Sequence, residues 1–317
     1  MNRPASQSIT SPAPLALVLA AYLAIYLIWG STFLGMRLAI DSIPPFLMAG
    51  GRFIIAGILL YTVMRFRGDA APNRRQWINA VIIGALLVTA GNGGVCWAQQ
   101  TVPTSIAALI VASVPLWIML ADWWRPNGLR PALTTVLGLI AGFVGVGMIV
   151  MSKDDQGARL VDPLGAGVLL VGNMCWALGS IYSRQTKIKA PSPLLGVGMQ
   201  MIAGGVLDVL VGLVLGEGRD FHPGQITAVS AWSFVYLTFV GSLVAYTAYV
   251  WLLTVSSTAK VSTYAYVNPV IAVVLGHVVL KEALPHSLAL AGGLILVAVI
   301  LITRNPVKPP LPRGDSQ

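Results

Sequence analysis

Thr263–Ala272, TYAYVNPVIA, sets polar and aromatic groups beside a proline inside an apolar run covering residues 259–280. At about 1.5 Å per residue a helix of this length crosses the roughly 30 Å of a bilayer's hydrocarbon core, and the spacing predicts Asn268 and Pro269 near the midplane. A second run, residues 105–124, carries Ser113, Val114, Pro115 and Leu116 at the same depth. Sliding the chain by 154 residues lays Pro115 on Pro269, Trp97 on Trp251 and Gly138 on Gly292. The chain is internally duplicated.

Working outward, the composition is 56% hydrophobic and 10% charged, with a mean hydropathy of +0.79. Soluble domains carry about 25% charge, so this is a multi-pass membrane protein in contact with lipid. The net charge of +9 does not point to nucleic acid, because the basic residues lie between apolar runs rather than on one face. Cys96 and Cys175 both fall inside apolar runs, which excludes a disulfide framework. Ten runs are expected to span: 15–38, 45–66, 77–98, 105–124, 132–151, 163–183, 193–215, 231–253, 259–280 and 287–303. The first is too long for a cleaved signal core of about 7 to 15 residues and is read as a retained helix. Runs of this length without period-two alternation are helices. Residues 1–14 and 305–317 read as polar tails, the first disordered.

Lysine and arginine set the orientation. With the amino terminus cytoplasmic, that side receives fourteen of them, Arg65, Arg67 and Lys187 included, and the other side five: Arg37, Lys153, Arg159, Arg219 and Lys281. The positive-inside rule then places both termini in the cytoplasm. Each unit has five spans, residues 15–152 and 163–304, and an odd number turns the second copy upside down. The fold expected is all-α and integral to the membrane: ten helices as two inverted five-helix repeats around a central cavity. In the first part of each unit the shift is 147, pairing Trp29 with Trp176 and Arg37 with Arg184.

Ile28-Trp29-Gly30-Ser31-Thr32-Phe33, the stretch Thr263–Val270, and Leu280-Lys281-Glu282 followed by Gly292-Gly293 resemble the EamA-type drug/metabolite transporter superfamily, in particular its YedA-like bacterial branch. The resemblance covers about residues 15 to 305. It implies two five-helix bundles enclosing a cavity in a bacterial inner membrane, and export of small metabolites, amino acids or drug-like compounds. Substrate identity does not carry over between members. Where members often have Gly-Glu at the end of the ninth span, this chain has Lys281-Glu282.

Several residues are candidates for lining the cavity. Trp29 with Thr32, and Trp176 with Ser180, share helix faces at three- and four-residue spacing on the first and sixth spans. Tyr264 and Asn268 share a face of the ninth span, and Tyr266 points elsewhere. Asn92 on the third span aligns with Tyr246 on the eighth. Against each stands packing or interhelical hydrogen bonding. Pro115 and Pro269 each remove a mid-helix amide and are expected kinks. The pairs Gly138/Gly142 and Gly212/Gly216 are expected close-packing contacts. Arg52 and Asp208 are the ionisable residues deep within spans; both lie about 10 Å from the same side, and they read as a structural ion pair or as a coupling site for protons. No residues fall at metal spacing, and no phosphate loop or other cofactor motif is present. A channel, or a receptor or scaffold, is the alternative to a transporter; an intramembrane enzyme lacks its aspartate clusters or serine–histidine pairs. A homodimer stays open.

Overall fold

The computed structural model describes residues 14–124, 133–152, 161–256, 261, 263–282, 284 and 286–304. Both tails, the links around Arg125 and Asp154, and Lys260 lie outside them. The chain there is helical, with no strand among the described residues. The order is α1 (Leu15–Ala39), α2 (Pro45–Phe66), α3 (Arg74–Gly84), a π-helix π1 (Ala85–Gly93) and α4 (Gly94–Ala98). There follow α5 (Thr104–Val111), α6 (Val114–Trp124), α7 (Leu133–Val150), α8 (Pro163–Gln185), α9 (Pro193–Val214), α10 (Glu217–Asp220), α11 (Ala228–Tyr236), a second π-helix π2 (Leu237–Val244), α12 (Ala245–Val255), α13 (Tyr264–Leu280) and α14 (His286–Arg304).

Local sequence sets the boundaries. Prolines with no amide to lose open α2, α8 and α9. Asn73 and Gln76 exchange side-chain and backbone hydrogen bonds in a capping box at α3. Lys281, at φ 57, ends α13 in the left-handed region, as Gly216 at φ 89 does after α9. Gly216 was expected to pack closely; it is instead a helix terminator, needed because few other residues tolerate that φ.

Among the described residues eight helices are long and apolar enough to cross a membrane, α3–π1–α4, α5–α6 and α11–π2–α12 each counting as one, and two shorter apolar ones follow at Tyr264–Leu280 and His286–Leu301. The ninth expected run is interrupted at Thr263, with Val261 helical ahead of the turn. The helix Tyr264–Leu280 follows that turn. Asn268 and Pro269 sit in its second turn. The fourth run is broken at Ala112–Ser113, just ahead of Pro115, which removes an amide from the ladder. Asn173 of α8 and the Ser113 hydroxyl both donate to the Ile110 carbonyl, at 2.8 and 2.7 Å.

Glycine decides how the helices pack. On α2 and α9, a Cβ at Gly50 would stand 2.7 Å from the Gly205 carbonyl, and one at Gly57 2.8 Å from that of Gly198. The contact is reciprocal: a Cβ at Gly205 would meet the Gly50 carbonyl at 2.9 Å and one at Gly198 the Gly57 carbonyl at 3.2 Å. Backbones touch without intervening side chains, the arrangement that drives helix association in lipid, where tails solvate leucine as well as a helix does. Around this core, Leu19, Leu23 and Leu27 of α1 stay exposed along one stripe, as a lipid-facing side requires.

Gly205→Ala should lower stability by about 1–3 kcal/mol, because the methyl would meet the Gly50 carbonyl and the Ile54 amide and side chain, each at 2.9 Å. Gly147→Ala, with open space around its Cβ, should be neutral or stabilising. Thermal melting of the two purified variants in detergent checks the contrast.

Candidate functional site

Aromatic residues from two helices, α12 and α13, converge on Trp29 of α1. Its ring centroid lies 5.4 Å from Tyr246, 5.3 Å from Tyr249 and 5.1 Å from Tyr264, with tilted or edge-on planes. Tyr249 and Tyr264 meet edge-on at 5.9 Å. All four rings are half-buried, and such pairs favour these tilted geometries through the ring quadrupole. The Trp29 indole donates to the Gly241 carbonyl of π2 at 3.3 Å. Thr32 turns its hydroxyl back onto the Trp29 carbonyl at 2.6 Å, so its methyl faces Gly241.

The polar border of this cluster joins α1 to the end of α12 and the start of α13. Tyr26 pairs with Thr263 at 2.5 Å and Tyr22 with Ser256 at 2.6 Å. Asn268 is buried, and its carboxamide faces two carbonyls; assigned nitrogen-first on that side, it donates to Tyr26 at 3.1 Å and Tyr264 at 3.2 Å. A Cβ at Gly30 would stand 2.8 Å from Ile271, so glycine is what lets α1 approach α13 here. Tyr266 packs into a different apolar cluster from Tyr264.

The other expected residues go elsewhere. Trp176 lies against Gly91 of π1, where a Cβ would stand 2.7 Å from the indole; among the described residues, neither it nor Ser180 contacts the four rings. Each tryptophan of the Trp29/Trp176 pair thus rests on a glycine of a π-helix, Trp29 on Gly241 and Trp176 on Gly91. Asn92 accepts from Arg52 Nη2 at 3.2 Å. The expected Arg52–Asp208 ion pair is not formed directly: both are buried, but neither Asp208 oxygen has a hydrogen-bond partner.

A central cavity lined by these residues was also expected. Two recesses lie elsewhere: an apolar one of ≈ 470 Å³ on α6 and α7, where lipid would lie, and a mixed one of ≈ 450 Å³ bordered by Arg37, Asp41, Gln99, Gln100, Pro103 and Glu282.

Sequence reasoning missed both π-helices and the capping roles of the chain's only two glutamates. Glu282 accepts from the Thr104 and Ser105 amides at 2.6 and 2.8 Å and from the Ser105 hydroxyl at 2.5 Å, closing the amino end of α5. Glu217 does the same for α2 through the amides of Phe46 and Leu47, at 3.2 and 2.9 Å. Burial raises the Glu217 carboxyl above its ordinary value despite those donors. Only the rarity of glutamate in so apolar a chain could have pointed to them.

The EamA-like transporter family profile matches residues 15–151 and 163–304, nearly the whole of the described structure. The chain belongs to the EamA-like transporter family. Among relatives of this EamA-like chain, the Escherichia coli (strain K12) inner membrane transporter YedA is 37% identical over 294 residues, covering 91% of this chain and 92% of that protein. The Bacillus subtilis (strain 168) transporter YvbV is 27% identical over 292 residues, 92% of each. A crystal structure of another protein superposes with a TM-score of 0.61 at 20% identity, covering 91% of this chain and 97% of that one, a likeness of fold.

Asn268→Ala removes a bond between α1 and α13 and should cost about 0.6 kcal/mol, at most about 1.7, the range found for interhelical hydrogen bonds in bilayers. Equilibrium unfolding in mixed micelles measures it.

Proposed function

We propose that this EamA-like chain is a secondary transporter of a bacterial inner membrane that exports small amphipathic metabolites, amino acids or drug-like compounds, by alternating access. The observation that carries the reading is the half-buried cluster of Trp29, Tyr246, Tyr249 and Tyr264. An amphipathic solute needs an aromatic wall and a few placed polar groups. Thr32 and Asn268 border that wall, and Trp176, Ser180 and Asn92 would approach it from the repeat-related helices as the bundles move apart.

Ten spans in two inverted repeats, residues 15–152 and 163–304, make that movement geometrically simple. Three features support the duplication. The family profile matches two stretches of near-equal length. Trp29 and Trp176 each rest on a glycine of a π-helix in the other half. Gly50/Gly205 and Gly57/Gly198 meet as a two-fold axis between α2 and α9 would require. With both termini cytoplasmic, Glu217 and Glu282 close helix ends on the outer side. The names of the relatives are those of transporters, and no enzymatic step is assigned to the chain.

Efflux and uptake of a panel of amino acids and amphipathic amines, measured in vesicles holding the pure protein, tests the activity. Protein-dependent flux of none of them would overturn it. Tyr264→Ala should weaken binding of a transported solute by about 1–3 kcal/mol through loss of wall and hydroxyl. Tyr61→Ala, which removes a ring from a separate pair with Trp77, should bind like the parent.

Orientation has its own check. Cysteines placed at Arg67 and Lys187 should resist an impermeant thiol reagent in intact cells, and one at Arg219 should react. Labelling at position 67 would exclude the inverted arrangement.

A further inference from the structure

Arg52 and Asp208 stay outside the aromatic cluster, and Asp208 is the more unusual. It is 0% exposed, and both its carboxylate oxygens lack a hydrogen-bond partner. The groups around it come from every neighbouring element. Arg52 of α2 faces it, as do Thr89 of π1 and Glu217 of α10. Cys96 of α4 is close enough to feel its charge, and Tyr246 of α12 that of Arg52.

No side chain meets hydrogen-bond geometry at the carboxylate, although the Thr89 hydroxyl stands close enough to turn to it. Arg52 Nη2 gives its bond to Asn92 at 3.2 Å and contacts Met36 Sδ at 3.7 Å, and the guanidinium carbon stands 4.4 Å from the centroid of the Phe53 ring. The Thr89 hydroxyl donates to the Gly204 carbonyl at 3.1 Å. An ionised carboxylate so surrounded would forfeit its hydration without replacement, whereas a neutral carboxylic acid loses far less. The site has no room for a larger ligand. A Cβ on Gly93 would already stand 2.5 Å from Asp208 Oδ1 and 3.0 Å from the Phe46 ring. Among the described residues no group of side chains could hold a metal ion.

We propose that Asp208 is a proton-binding site, loaded in the arrangement seen here, with Arg52 as its switch. While Arg52 is held by Asn92, the Asp208 carboxyl keeps its hydrogen. When Arg52 turns to Asp208, the O–H bond breaks, the electron pair stays on the carboxylate facing the guanidinium, and the proton passes to water on the side then open. Coupling of that proton to solute movement rests on the transporter reading; the proton site itself does not.

Infrared spectroscopy of the purified chain in lipid, with carbon-13 in the aspartate side-chain carboxyls, reads the site directly. Exposed aspartates ionise near about pH 3.9. At pH 7 the parent should therefore retain one labelled carboxylic-acid C=O band, and Asp208→Asn should lose it. If that variant does not fold, Asp208→Glu keeps an acid but takes the label from the site, and should move the band to the unlabelled position. Arg52→Gln, which removes the switch, should hold the band to higher pH than the parent. Absence of a labelled acid band in the parent at pH 7, or its survival in Asp208→Asn, overturns the proposal. No solute flux is measured, so that result would leave the transporter reading standing.

Discussion

Backbone contact between α2 and α9 is the constraint on which the remaining geometry depends. Gly50 and Gly57 face Gly205 and Gly198, each pair separated by seven residues, and every one of these positions would push a Cβ into a carbonyl. In lipid there is no hydrophobic gain from bringing helices together, so close approach and the dispersion it allows must supply it. That contact fixes how α2 stands against α9, and so how Arg52 stands against Asp208. The same close approach leaves Asp208 facing Gly93 with no room between.

Helix ends and breaks are managed by polar groups placed with equal economy. A membrane interior offers no water to an orphan amide or carbonyl. Glu217 and Glu282 satisfy the amino ends of α2 and α5 from the chain that follows α9 and α13. Asn173 serves the carbonyl exposed where α5 gives way to α6. These contacts join the halves matched by the family profile, so a carboxylate at the end of one helix holds the start of a helix far away in sequence.

Much of the fold was legible because hydropathy and chain length set it. The boundaries of α1, α2, α7, α8 and α9 fall within a few residues of the apolar runs. The Trp29/Tyr264 meeting was also readable, since 3.6-residue periodicity put Tyr264 with Asn268 and away from Tyr266. The start of α13 was not, because Thr263 forms a turn within an unbroken apolar sequence. Nor was the separation of Trp176 from Trp29: matched positions in a repeat predict equivalent surroundings, not mutual contact. The Arg52–Asp208 relation failed on a finer point. Depth along two helices brought them together, but which acceptor the guanidinium chooses depends on Asn92, whose orientation has no signature in sequence.

The two π-helices bear on how the chain can change over time. In a π-helix each amide reaches back five residues, so the stretch holds more chain per turn than the α-helices on either side. Because the wide turn already holds the additional residue, loss of one codon within Leu237–Val244 would leave a continuous α-helix with everything beyond near its present phase. Without such a turn the same loss would rotate everything beyond by about 100°, and Tyr246 and Tyr249 would leave Trp29 although no ring had been altered. Point substitutions near these segments are tolerated or not according to size, but a change of length acts on phase, and the aromatic cluster depends on phase more than on any one of its side chains.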